Sequence, residues 1–283
     1  RIVSLVPSVT ETLFALGAGP EVAGVSQYCD YPPEASKLPK VGDFIAPNLE
    51  AIVALRPSIV IGIATASGQR QVRALNAMGI RTLMVNDDSI AEVEANIASI
   101  GALTGRSAEA ARLLASIMNQ IAAVEERLEG VPRTSVLMVV GHDPMVAAGR
   151  GTYLDELLTL AHGDNVGDAS DQTWPRLSVE YLIAVKPEVI LDGQMGSDQA
   201  APLGFWARYP TIPAVRDHRI RGYPIDLMLH PGPRIANSLA TIARLIHPEA
   251  FTGQHAAAGV RFGATQAPIT APGLMPAVED RRL

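Results

Sequence analysis

SAEAARLLASIMNQIAAVEERLE, residues 107–129, divides the chain and sets its organisation. Leu114, Ile117, Met118, Ile121, Val124 and Leu128 recur at three-and-four spacing and share one face, while Asn119, Gln120, Glu125, Glu126 and Arg127 fill the other. The spacing predicts one long helix, with Ser107 as its cap, Glu109 in its first turn, and Gly130 and Pro132 as its stop. Such a helix is roughly 35 Å long at 1.5 Å per residue, enough to run the height of a small domain as a strut between two lobes. Neither proline nor glycine interrupts it, so it should hold the lobes rather than hinge them.

The case for two lobes is an internal echo. Residues 48–61, NLEAIVALRPSIVI, return 130 residues later as SVEYLIAVKPEVIL, with Glu50, Ala54 and Pro57 matched by Glu180, Ala184 and Pro187. Each copy reads as a short helix ending before a proline, then a buried strand rich in β-branched residues. One echo is too few for a solenoid and fits duplicated lobes.

Outward from these two features, strands are expected at 2–6, 22–25, 81–85, 135–140 and 219–223, and helices at 8–16, 69–78, 90–103, 153–161, 203–207 and 234–246. Ser8 and Glu11 have capping-box spacing at the start of the first helix. Strands alternating with helices imply parallel sheets covered on both faces. The fold class is α/β: two Rossmann-like lobes with parallel sheets joined by one long rigid helix, with a ligand cleft between the lobes. The expected units are a lobe at 1–106, the linker helix at 107–130, a second lobe at 131–251 and a flexible tail at 252–283, rich in Ala, Gly and Pro without periodicity.

Composition narrows the function. A net charge of −6 and a pI near 5.5, without a basic run, argue against a nucleic-acid partner. The apolar runs are strand-length, far short of the roughly 20 residues that a membrane span needs. The single cysteine, Cys29, excludes an internal disulfide and reads as a small buried side chain. Arg1 in place of methionine fits a leader removed or omitted upstream.

Ligands of such sheets sit beyond the strands' carboxyl ends. The loops expected there are 7–10, 27–31, 42–46 and 62–68 from the first lobe, and 141–151, 172–175, 192–198 and 226–234 from the second. The only near fit to a dinucleotide fingerprint, Gly149-Arg150-Gly151, has Leu154 at its third glycine position, and no Gly-x-Ser-x-Gly elbow is present. All six histidines lie at or after position 142, which argues against a His-rich metal site shared between lobes. What the loops hold is aromatic: Tyr28, Tyr31, Phe44 and Trp174, in a chain with 5% aromatics, favouring a large, flat, partly apolar ligand. For any one of these rings, packing and ligand contact weigh about equally. His142 and His230 sit on cleft loops, and imidazole is a good cobalt or iron ligand, although a hydrogen-bonded or solvated histidine is the commoner outcome.

Several pieces carry a family likeness: RIVSLVPS at 1–8 with Thr10-Glu11, the loop 28–35, Asn48-Leu49-Glu50 through Pro57, 149–156, Trp174-Pro175 with Glu180, and Pro231-Gly232-Pro233-Arg234. Over residues 1–251 the chain resembles the periplasmic substrate-binding proteins of ABC importers whose lobes are joined by a single helix, and within them the cobalamin-binding branch. The resemblance implies that Tyr28, Phe44 and Trp174 wall a corrin pocket, that Asp226 lies on the opposite lip, and that Glu50 and Glu180 dock on the permease dimer. It implies a monomeric, non-enzymatic protein, periplasmic or membrane-anchored outside the cell behind a lipoprotein leader, with the corrinoid as cargo and no cofactor. Ile63 and Val146 stand where aromatics occur in such proteins, and His230 where an arginine is common. Haem and ferric siderophores therefore remain alternative cargoes, and an enzyme on a Rossmann-like fold is the less favoured rival, its phosphate and nucleophile motifs being absent.

Overall fold

The computed structural model describes residues 1–64, 69–169, 171–193 and 200–252. In the first half, strands β1 (Ile2–Ser4), β2 (Val22–Val25), β3 (Ile59–Ile63) and β4 (Arg81–Val85) run parallel in the order β2-β1-β3-β4. Helices α1 (Pro7–Ala15), α2 (Leu49–Ala54), α3 (Gln69–Ala77) and α4 (Ile90–Leu103) accompany them, and the long helix α5 (Ser107–Leu128) follows. The second half contains β5 (Thr134–His142), β6 (Met145–Ala147), β7 (Gly163–Asn165), β8 (Val189–Asp192) and β9 (Ile220–Gly222), with helices α6 (Tyr153–Leu160), α7 (Val179–Val185), α8 (Ala200–Trp206), α9 (Pro213–Arg216), α10 (Ile225–Leu229) and α11 (Ile235–Ile246). Its parallel strands pair in the order β7-β5-β8-β9, the arrangement of the first sheet repeated.

The second sheet departs from the expected all-parallel form. The chain turns back after β5, and β6 pairs antiparallel with its end, so the sheet is mixed. The expected loop 141–151 thus contains a strand, and the expected loop 226–234 begins within α10.

Two expected caps are also corrected. Helix α1 starts at Pro7, whose fixed backbone suits a first turn, and Val6 before it supplies no side-chain cap. The Thr10 hydroxyl bonds Ser4 Oγ at 2.8 Å instead, and Glu11 points elsewhere, as described below. Ser107 is the first residue of α5 rather than its cap; Arg106 precedes it, and its carbonyl accepts from Ala110 N at 3.0 Å. A capping box does occur at α4, where Ser89 accepts from Glu92 N at 3.2 Å and Glu92 reaches back to Ser89 N at 3.2 Å.

Alternation along the central strands divides the interior. Ile59 and Ile61 of β3, and Val189 and Leu191 of β8, face one large core that also takes Ile117, Ile121, Val124 and Leu128 of α5. Val60 and Ile190, the residues between, face smaller cores on the outer side of each sheet. The expected linker therefore packs into apolar layers belonging to both halves. Among the described residues no helix is long and apolar enough to cross a membrane. The expected tail lies, after Thr252, outside the described residues, as do parts of the expected loops 62–68 and 192–198.

The echo is reproduced in detail. Asn48 Oδ1 accepts from Ala51 N at 3.0 Å to cap α2, and Ser178 Oγ accepts from Tyr181 N at 3.2 Å to cap α7. Both helices end on a basic residue with left-handed backbone, Arg56 (φ 46°) and Lys186 (φ 55°).

Candidate functional site

With strand order 2-1-3-4, the order reverses between β1 and β3, and in the second half between β5 and β8, the place beyond the strands' carboxyl ends where ligands of such sheets gather. The loop after β2 carries Tyr28. Its anchor is Cys29, fully buried, whose Sγ receives Thr10 Oγ1 at 3.1 Å and lies 3.2 Å from Ser26 Oγ. Burial pushes this thiol above its usual range, so Cys29 is a structural pin with polar partners. Phe44 rides on a turn in which Asp43 Oδ1 accepts from Ile45 N at 2.8 Å and Ala46 N at 2.5 Å. These two supports bring the half-buried Tyr28 and Phe44 rings to a centroid distance of 6.3 Å at 59°. Phe44 also lines a small pocket with Leu5, Ile63 and Met84, which makes Ile63 part of an aliphatic wall.

Trp174 belongs to a segment stitched onto β6. Ala147 N donates to Pro175 O at 3.1 Å, Gly149 N to Thr173 O at 2.9 Å and Leu177 N to Met145 O at 3.0 Å. Gly149 is required there, because a Cβ would come within 2.4 Å of Gln172 O. The indole is half-buried on the large core and makes no ring contact among the described residues.

His142, at the end of β5, lies in a separate cluster. Its Nε2 is 2.9 Å from the carboxylate of Asp192, a fully buried residue that also accepts Trp206 Nε1 at 2.7 Å, and its ring meets the edge of Phe205 at 4.7 Å. The carboxylate fixes the imidazole orientation and leaves Nδ1 as the nitrogen available to another partner.

Asp226 is exposed in the first turn of α10, and His230 follows that helix. Burial, reinforced by Arg234 and opposed by Asp226 and Asp30, lowers the His230 pKa to about 4. The folded site therefore keeps His230 neutral near pH 7. Between pH 6.5 and 4 the unfolded chain takes up a proton that this site refuses, so stability falls as pH drops through that window, by up to about 1.4 kcal/mol per pH unit. Urea midpoints measured from pH 7.5 to 4 should show a shallower acid-side decline in His230→Gln than in wild type; parallel curves would remove His230 as the cause.

Sequence reasoning missed the connection between the halves. Arg234 donates through Nε to Glu11 Oε2 at 2.6 Å and through its second nitrogen to Oε1, while its guanidinium lies 4.2 Å from the Tyr31 ring centroid. Glu11 is essentially inaccessible, with 1% of its side chain exposed, and burial raises its pKa against the opposing effect of Arg234. Beside this pair, Gly232 packs so closely on Ser8 that a Cβ would lie 3.2 Å from Ser8 O. A second link runs from Ile90 N to Glu156 Oε2 at 2.8 Å. The partners in the ion pair are 223 residues apart, beyond any local spacing rule; their separate appearance in Thr10-Glu11 and Pro231–Arg234 was the available hint.

Glu50 and Glu180 are exposed at the starts of α2 and α7, outside these clusters. The Glu180 carboxyl is held below its ordinary range by its own backbone N–H and by Ser178. Among the described residues no group of three or more His, Cys, Asp or Glu is placed to hold a metal ion.

Two similar sheets bridged by one helix, with aromatic side chains near the crevice, define a two-lobed binding protein. The periplasmic binding protein family model matches residues 2–227, and the chain belongs to that family. It is 32% identical over 261 residues to an uncharacterised ABC transporter substrate-binding lipoprotein of Bacillus subtilis (strain 168), covering 89% of this chain and 81% of that one. It is 30% identical over 215 residues to the vitamin B12-binding protein of Salmonella choleraesuis (strain SC-B67), covering 76% of this chain and 80% of that one. Among solved structures, the periplasmic haem-binding protein RhuT of Roseiflexus sp. RS-1 in its apo form is similar with a TM-score of 0.77 at 30% identity, over 88% of this chain and 98% of that one. The chain is thus a non-enzymatic substrate-binding component of an ABC importer, a role that entails a small-molecule cargo and a permease partner.

Proposed function

We propose that this protein captures a corrinoid in the crevice between its lobes, taken as 1–106 and 131–251, and delivers it to the importer's permease. The observation that carries the reading is the Tyr28–Phe44 ring pair, set by two independent loop anchors, with a single indole held on the backbone-pinned loop of the other lobe. Such rings suit a flat macrocycle, and Asp226 and His230 supply polar contacts for its amide periphery. His142, with Nε2 committed to Asp192, has Nδ1 to offer toward the cargo's metal face. The vitamin B12-binding relative supports this cargo; the haem-binding neighbour of equal identity supports haem as the second reading. We place the protein outside the cytoplasmic membrane as a monomer, with helix α5 limiting cargo entry to small tilts and loop movements.

Calorimetry with cobinamide, cobalamin and hemin tests the proposal. Corrinoid heat is expected from wild type, and Trp174→Ala should weaken it by about tenfold to a thousandfold, corresponding to roughly 1.4 to 4 kcal/mol. Heat with hemin alone moves the assignment to haem, and unchanged corrinoid binding in Trp174→Ala removes the indole from the site.

A further inference from the structure

Charge is unevenly distributed along this acidic chain. Its longest span without a carboxylate runs from 51 to 86, between Glu50 and Asp87, and holds Arg56, Arg70, Arg73 and Arg81. Those four arginines give the span a charge of +4, against −6 for the whole chain. The echo supplies a comparison: 130 residues later, at 181–216, Lys186, Arg208 and Arg216 are balanced by Glu188, Asp192 and Asp198. The repeated architecture is thus built once with the imbalance and once without, so packing does not require it.

The fold gathers these residues on one edge of the first lobe. Strand β4 is the outermost of its sheet, and α3 leads into it. Ile2, Ile59 and Arg81 stand side by side in register, and Arg1 Nε donates to Leu55 O at 2.9 Å, so Arg1, Arg56 and Arg81 share the amino-terminal end of the sheet. Arg70 and Arg73, three apart, share the outer face of α3. All five arginines are exposed, and among the described residues none of them forms a salt bridge, unlike Arg106, Arg133, Arg216 and Arg234. Arg56 has a local role at the carboxyl end of α2, where a cation complements the helix dipole. Arg70 has the opposite: it lies in the first turn of α3, where a cation is unfavourable. Met78, just beyond α3, is 57% exposed, the most exposed large apolar side chain among the described residues.

We propose that this edge, the outer face of α3 with the start of β4, is an adsorption surface for anionic phospholipid. Guanidinium groups match phosphate oxygens bidentately, and a flexible, unbranched methionine suits the boundary between headgroups and acyl chains. Five cations without an intervening acid complement a uniformly negative plane, and a permease partner brings this chain beside a bilayer. The crevice lies beyond the strands' carboxyl ends, so adsorption through Arg56, Met78 and Arg81 leaves it open to cargo. Adsorption of this kind depends on the importer role and not on which cargo is carried.

Vesicle co-sedimentation tests the proposal, with phosphatidylcholine vesicles alone or containing one-third phosphatidylglycerol, at low and high salt. Wild type should sediment with the anionic vesicles at low salt, stay in solution with pure phosphatidylcholine, and be released as salt screens the charges. Arg73→Glu with Arg81→Glu should weaken partitioning at least about tenfold, from roughly fivefold per arginine facing an anionic surface. Met78→Ser should weaken it several-fold. Arg112→Glu with Arg208→Glu changes the net charge equally from exposed sites elsewhere and should stay within about twofold of wild type. Melting temperature and calorimetric cargo affinity should be unchanged in all three variants. Failure of wild type to bind anionic vesicles, equal losses in the two double variants, or equal binding to neutral vesicles overturns the proposal. Retention on heparin that depends on Arg73 and Arg81, without vesicle binding, overturns it in favour of an acidic macromolecule.

Discussion

Arg234→Met is expected to lower the free energy of unfolding by about 3–5 kcal/mol, because it leaves the Glu11 carboxylate buried without its partner. Burial already raises the Glu11 pKa with Arg234 present; without the guanidinium, desolvation acts unopposed. The methionine also removes the cation over Tyr31, while Cys29 still pins the loop that carries it. The paired change Glu11→Leu with Arg234→Met should recover much of the loss, since an apolar pair of similar volume avoids the desolvation cost. Urea unfolding of the two single variants and the double variant gives the coupling directly. Losses below about 1 kcal/mol would mean that the pair is screened like a surface salt bridge and does not tie the lobes.

Glu50→Arg with Glu180→Arg is expected to stop cargo uptake in reconstituted vesicles while leaving calorimetric affinity within about twofold of wild type. Both carboxylates are exposed, and the cap hydrogen bonds of α2 and α7 come from Asn48 and Ser178. Charge reversal therefore leaves those caps intact, and a small shift in melting temperature is expected. Persistent uptake would identify the glutamates as helix-start residues alone and move the docking surface elsewhere.

Elements whose cause is local were legible in the sequence. The 107–129 periodicity anticipates α5 to within one residue, and the boundaries of β4 and α4 coincide with expectation. The echo anticipates two helix–strand units, and in each the polar residue that opens the copy, Asn48 or Ser178, caps the helix locally. What escaped depends on distant partners. Ser8 and Glu11 have capping-box spacing, but Pro7 already starts the helix and the carboxylate finds Arg234 across the lobe boundary. Strand β6 is three residues long and gains order by pairing with β5 and with the Trp174 segment, a relation that its composition does not encode. For the site, aromatic content indicated Tyr28, Phe44 and Trp174, but only the fold joins the first two and commits His142 Nε2 to Asp192.

The most direct test of the central claim is a visible absorption spectrum of the protein after incubation with equimolar cobinamide and hemin and removal of free ligand by gel filtration. The account predicts corrinoid bands co-eluting with the protein at close to one equivalent. A spectrum dominated by the haem Soret band, or protein eluting without either chromophore, would contradict it.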